Sequence, residues 1–356
     1  MGKVLPVHAP FCRTRIFGAS CRRWKMGGFK NGLGLLVAAS SAFPLAAMSS
    51  GEAADVYPRR PITLVVGFPP GGGADVIARH VAMHMSDDLG QKVIIENRPG
   101  AAGNIAAASV ARASADGYTL FLAGRPAALH KVLYKSIHYD FARDFVPVGS
   151  VVGIPYVLVM GKHVAAANLR EAFVLARKNP GKATCASSGI GTTSHLLCEG
   201  VGERVGLSWL HVPYPGGVAA LKDLVGERIE FAVVSVPAAL SLIESGGLRT
   251  MVVFSKERVP AIPSVPDAEE QGLGDLEAEG WCAIVAPAGT PAHAVSRLNR
   301  SLNKALSNAG LRKKIVQLGY VIPSRQNSPE TLESFIEEDT EKWTDILRQR
   351  QLGGRQ

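Results

Sequence analysis

Charge and aromatic rings are both scarce in this chain: charged residues make up 19% and aromatics 6% of its 356 positions. So little charge beside 47% apolar residues excludes a disordered, self-repelling polypeptide and leaves an ordinary globular core. The length suits about two domains of ~150 residues. A formal charge of +9 would suit a nucleic-acid binder, but the excess is local. Seven of the 39 basic residues and one of the 30 acids fall in the first 54 positions, so the remainder nets only +3. No stripe of Lys or Arg interleaved with aromatics follows, and no nucleic-acid partner is expected.

Cysteine is also sparse. Cys12 and Cys21 lie in the first 54 residues, leaving Cys185, Cys198 and Cys282 with no CxxC spacing. One disulfide in an oxidising compartment and three buried thiols both stand open. His195-x-x-Cys198 lacks a second ligand pair, so neither metal nor other cofactor is expected, and Cys198 reads as helix core. Long apolar runs are missing too. "GLGLLVAASSAFPLAAM" (32–48), broken by Pro44, is too short for a permanent membrane span. With basic residues before it and small residues through Ala53-Ala54 after it, the segment has the order of a signal peptide. Residues 1–54 are expected to be an export leader, cut after Ala53, with Met26 as an alternative start. Arg22-Arg23-Trp24-Lys25 lacks the context of a twin-arginine signal.

Catalytic and nucleotide signatures are absent as well. A P-loop would follow its glycines with Lys-Ser/Thr, but Ala74-Asp75 follow Gly73; a dinucleotide loop would place glycine where Val76 stands. No G-x-S-x-G elbow occurs, and none of the nine histidines sits in a catalytic motif. His195 reads as a helix-capping or core histidine, and no enzyme activity is expected.

What the sequence does contain is alternation. "ITLVVGF" (62–68), "KVIIEN" (92–97) and "YTLFLAG" (118–124) read as buried strands separated by helical patterns, a β-α-β-α-β unit with a parallel sheet. A long extended run, 146–161, is interrupted by Gly153 and Pro155 and reads as a crossover. Four further strands alternate with helices over 169–255, and "EGWCAIVAP" (279–287) reads as a return to the first unit. The predicted division is a first domain of 55–155 plus 282–356 and a second of 156–281. Thr290-Pro291 and Ser328-Pro329 each read as an N-cap followed by proline at the first helical position. Leu332, Phe335, Ile336, Trp343, Ile346 and Leu347 form a stripe expected to pack on the first domain.

Candidate site residues lie where strands empty into helices. Pro70, Gly71, Gly72 and Gly73 precede a helix whose free N–H groups and positive dipole end suit a carboxylate. "RPGAAGN" (98–104) repeats the device. "SSGIGTTSHL" (187–196) adds hydroxyls that can donate to an anion, from Ser187, Ser188, Thr192 and Thr193, with Gly191 allowing close approach.

In the order "YPRRPITLVVGFPPGGGADVIAR", "ENRPGAAGN", "DGYTLFLA", "SSGIGTTSHL", "HVPYPGG" and "APAGTP", the chain resembles the Bug family of extracytoplasmic receptors, the TctC-type binding proteins of tripartite tricarboxylate transporters. The likeness runs from Tyr57 to about Trp343. It implies a periplasmic binding protein-like α/β fold of type II, a monomer of two α/β lobes joined by a hinge with a ligand cleft between them. The implied function is capture of a small organic acid for membrane permease subunits or, alternatively, for a sensor kinase; an orphan that has lost solute binding and an α/β enzyme are the other readings. The implied contacts are Pro70 to Gly73, the 187–193 loop, and Tyr214 and Gly216 opposite, with Asp75 fixing the first loop.

Three departures from the family pattern bear on the ligand. "GRPAALH" places Arg125 and His130 where Gly-Thr-x-x-x-Asn is frequent, Val234-Ser235 replace an Asp-Asn pair, and Pro215 replaces a frequent lysine. Loss of the Asp-Asn pair removes an acceptor for an ammonium group and turns the choice from amino acids towards diacids or aromatic acids. Ser235 stays a candidate contact, and two readings of Arg125 stand open: a two-pronged pair with a second ligand carboxylate, or a solvated loop arginine beside Pro126.

Overall fold

A computed structural model describes residues 57–349, except 135, 137, 179, 180, 182, 324 and 325. The expected leader lies outside the described residues. β-branched runs make the strands. β1 (Ile62–Val66) is followed by α1 (Gly73–Leu89), β2 (Val93–Asn97), α2 (Asn104–Ala111) and β3 (Thr119–Ala123). β1 pairs in parallel with both β2 and β3, as a chain with helical crossovers requires. Three one-turn helices follow, α3 (Arg125–Ala128), α4 (His130–Leu133) and α5 (Phe141–Asp144), before the long strand β4 (Phe145–Ile154).

The run expected as one crossover is two strands. Pro155 has no N–H to continue a ladder. β4 ends before it in the first sheet, and β5 (Tyr156–Met160) begins a second. There follow α6 (Leu169–Lys178), β6 (Thr184–Ser187), α7 (Thr193–Val205), β7 (Leu210–Pro213) and α8 (Gly217–Val225). β8 (Phe231–Ser235), α9 (Val236–Glu244) and β9 (Arg249–Val253) complete that half. β10 (Gly280–Pro287) then returns to the first sheet, antiparallel to β3 and β4, and α10 (Ala292–Ser307), α11 (Ala309–Gln317) and α12 (Pro329–Gln349) close the described chain.

The sheets share one plan. Their orders are β2-β1-β3-β10-β4 and β7-β6-β8-β5-β9, each with three parallel strands and a fourth strand lying antiparallel to both its neighbours. Apolar clusters cover both faces of each sheet, which is why the central strands β1, β8 and β10 are buried almost end to end.

The C-terminal stripe differs from expectation. Leu332 and Ile336 pack with Phe121, Phe145 and Trp281 of the first lobe. Trp343 and Leu347 join the cluster of Leu158, Met160 and Phe231 in the second, with Ile346 against it. The 21-residue α12 is about 31 Å long at 1.5 Å per residue, enough to serve both cores. Ser328 accepts the Thr331 N–H at 3.2 Å, the expected cap. Thr290 instead donates its hydroxyl to Pro287 O at 2.7 Å, and α10 starts without a side-chain cap.

Of the two open cysteine readings the disulfide holds. Cys185 on β6 and Cys198 on α7 are bonded across a Cα–Cα distance of 6.1 Å. Cys198 is therefore buried in its helix, as expected, but as half of a covalent tie. Cys282 is a free, buried thiol whose pKa burial pushes up to about 12.

Candidate functional site

The carboxyl ends of both sheets face one cleft of about 320 Å³, the place where open α/β sheets gather ligands. The first loop arrives on β1. Gly67 must be glycine here, because a Cβ would come within 2.5 Å of Gly103 Cα. That contact sets "RPGAAGN" against the back of the first loop, so the second glycine segment braces the loop and does not line the cleft.

Pro70, Gly72 and Gly73 line the cleft; Gly71 makes the turn behind them with φ +78. α1 starts without a side-chain cap, and its ladder begins only where Val76 N–H donates to Gly72 O, so the N–H groups of Gly73, Ala74 and Asp75 precede it. Tyr320 clamps this start by donating its hydroxyl to Gly73 O. Asp75 does not line the cleft. It accepts Gly71 N–H at 2.9 Å, Asn97 Nδ2 at 2.9 Å and the Arg79 fork at 2.9 and 2.8 Å. Burial pushes its carboxyl upward, but Arg79, Gly71 and Asn97 outweigh burial, and the pKa lies below the usual carboxylate value.

The hydroxyl loop is divided by depth. Ser188, Thr192 and Thr193 line the cleft, while Ser187 and Gly191 lie behind it. Thr192 caps α7 by accepting His195 N–H at 3.4 Å and donates to Gly189 O at 2.7 Å. His195 is the helix-start histidine that was expected, its Nδ1 accepting Gly191 N–H at 3.1 Å. Its ring stacks on that of His211 at 4.1 Å, and His211 Nε2 lies 2.7 Å from Ser187 Oγ. Burial first, and His195 second, hold the His211 pKa down to about 4.

Two expected positions differ. Tyr214 does not line the cleft; its hydroxyl donates to Asp223 at 2.7 Å, while Gly216 does line it. Arg125 reaches the cleft, but its two-pronged partner is Asp339 of α12, at 2.9 and 2.8 Å. It also donates to Thr193 Oγ1 at 2.8 Å and Glu279 O at 2.7 Å, and lies 4.5 Å from the Trp343 ring centre. A buried guanidinium needs this pairing, and Asp339, 214 residues away, supplies it.

Sequence reasoning missed several lining residues. Tyr156, Gly280 and Trp281 come from the strands that begin just after the chain changes sheet, β5 and β10, and Lys222 from α8. The predicted return strand at 279–287 held the only usable signal, since a strand re-entering between lobes must pass the cleft. Trp281 Nε1 donates to Asp339 at 2.9 Å, fixing its ring in the wall. Ser235 lines the cleft as the N-cap of α9, its side chain making no cap bond, and Gly216 leaves α8 equally uncapped. No Asp or Glu lines the cleft among the described residues.

Two α/β lobes around a cleft rich in unclaimed donors define a solute-binding receptor of the two-lobed type. The chain belongs to the tripartite tricarboxylate transporter family receptors (TctC), whose family model matches residues 77–352. It is 37% identical to a UPF0065 protein of Pseudomonas sp. (strain P51), over 85% of this chain and 90% of that one. Among solved structures it resembles the periplasmic binding protein BugD, with a TM-score of 0.80 and 31% identity over 84% of this chain and all of that one. An R. palustris protein with adipate matches at TM-score 0.79 and 31% identity, covering 82% of this chain and 97% of the other.

Proposed function

We propose that this receptor works in the periplasm, takes a small carboxylated compound into the cleft and delivers it to membrane permease subunits of a tripartite transporter. One observation carries the reading: the uncapped N-termini of α1, α8 and α9 converge on a cleft with no acidic lining among the described residues. The α1 and α8 starts present unpaired N–H groups and a partial positive charge, while α9 adds chiefly its dipole end, since Val236 N–H donates to Pro155 O at 2.9 Å and Pro237 has none; together they stabilise an anion that water would otherwise solvate. Ser188 adds a neutral donor. Closure of the lobes would exclude water and strengthen every such bond. Adipate in a neighbouring structure supports a carboxylate ligand. Binding without reaction is part of the proposal, since among the described residues Thr192 and Thr193 bond to Gly189 O, the His195 N–H and Arg125 and to no base.

A thermal-shift panel of mono-, di- and tricarboxylates, amino acids and neutral amides tests this. Acid at a hundred times its dissociation constant is expected to add about 2.7 kcal/mol of stability. A panel in which amides or amino acids stabilise and acids do not would overturn the reading.

A further inference from the structure

A second cavity, of about 460 Å³, lies on the first lobe between α4, α5, α12 and the strands β4 and β10, and shares no lining residue with the cleft. Its volume falls in the roughly 300–1,000 Å³ range of small-molecule sites. Phe141, Phe145, Val285 and Ile336 give it a buried apolar floor. His130 also lines it and is only 2% exposed. The His130 Nδ1 lies 2.9 Å from Ala127 O. A carbonyl only accepts, so Nδ1 carries the proton and Nε2 is left with a lone pair. Burial lowers the pKa of the ring and keeps it neutral. Among the described residues Nε2 has no hydrogen-bond partner, and neither has Thr340 Oγ1 in the same lining. A buried acceptor without a donor is costly.

The rim adds charge of one sign. Glu333, Glu337 and Glu341 are exposed and follow one another at four-residue steps along α12, about 6 Å apart at 1.5 Å per residue. Like charges at this spacing repel. Asp339 and Asp345 of the same helix are ion-paired, but these three glutamates are in no ion pair among the described residues. Lys131, the one lysine or arginine in the lining, is already held by Asp140 at 2.6 Å. The glutamates do not converge as a metal-ligand set among the described residues, and an apolar floor does not suit a bare metal ion. Each deficit is an acceptor without a donor or a negative charge without a positive one. We propose that this cavity is a second binding site, which takes a small organic cation: a primary ammonium or guanidinium group on an apolar stem. The stem covers the phenylalanine floor, and the N–H groups are shared between His130 Nε2 and the glutamate rim. The site is independent of the carboxylate reading of the cleft.

The test is calorimetry of the purified protein with pentylamine, pentylguanidine and cadaverine, beside pentanol and pentanoate, with thermal melts of every variant. Wild type is expected to bind at least one of the cations roughly tenfold or more tightly than pentanol or pentanoate, the scale of one charge-assisted bond. The combined variant Glu333→Gln, Glu337→Gln and Glu341→Gln changes only exposed side chains, so it should keep its melting temperature and lose that margin. His130→Asn offers Ala127 O an amide N–H but no acceptor where Nε2 lies, and should weaken the cation by a similar factor. If His130→Asn does not fold, the glutamate variant decides alone. Failure of every cation to bind wild type sinks the inference, as does a cation affinity no greater than that for pentanol, or one unchanged in a folded variant of either kind.

Discussion

Ser188 and Thr192 are four residues apart, carry similar hydroxyls and line the same cleft, yet their bonds give them different work. The Thr192 hydroxyl is held by Gly189 O and the His195 N–H, so it shapes the loop. The Ser188 side chain faces the cleft beside the start of α8, with its backbone N–H, not its hydroxyl, bonded to Ser194. Ser188→Ala is therefore expected to weaken acid binding by about 1.5–3 kcal/mol, the cost of one bond to a charged group. Its melting temperature should stay at the wild-type value. Thr192→Ala should in addition lose about 1 kcal/mol of stability with the helix cap. Calorimetry and denaturant melts on the two variants separate the roles, and equal stability losses would contradict the assignment. The hydroxyl loop was legible because Ser/Thr with glycine before a helical pattern has few other physical uses. The role of Arg125 was not, because its partner Asp339 is 214 residues away and no local pattern points to it.

Between elements, the α1–α10 contact rests on Asp88, which accepts Arg297 Nη1 at 2.6 Å and Lys304 Nζ at 2.6 Å. Lys304 and then Arg297 hold its pKa down to about 2. A depressed carboxyl pKa contributes stability above its unfolded value near 4, lost as pH falls through the folded value. The shift corresponds to roughly 1–2 kcal/mol once screening at the exposed Lys304 is discounted. Asp88→Asn should be less stable than wild type by that amount at pH 7, with the gap closing towards pH 2. Urea melts across that range check it; a gap independent of pH would mean the ion pairs contribute nothing. The strands were legible from their β-branched runs to within a residue or two. The short helices at 125–144 were not, because one-turn helices have no periodicity to read and are set by long-range packing, Leu129 and Leu133 on the second lobe and Phe141 on the first.

Across the whole molecule, three segments join the lobes: the step at Pro155, the return from β9 to β10, and α12 with its stripe divided between the cores. The first two were readable from the restart of alternation and the predicted strand at 279–287. The division of α12 was not, since an apolar stripe tells a helix which face to bury and not against what. We propose the domain limits 55–155 plus 282–356 and 156–281, with α12 as the strap between them.

The central claim is that an anion is held where the uncapped helices converge, and Ser235 offers the most direct measurement. Aspartate is as good an N-cap as serine, so Ser235→Asp keeps α9 intact while placing a negative charge in the cleft. Binding of adipate, succinate and glutarate is measured by calorimetry on wild type and variant, with thermal melts of both. The account predicts binding by wild type of at least one of these acids, an unchanged melting temperature in Ser235→Asp, and a loss of affinity of roughly tenfold or more from like-charge repulsion. Equal affinity in a folded Ser235→Asp, or no uptake of any acid by wild type, would contradict it.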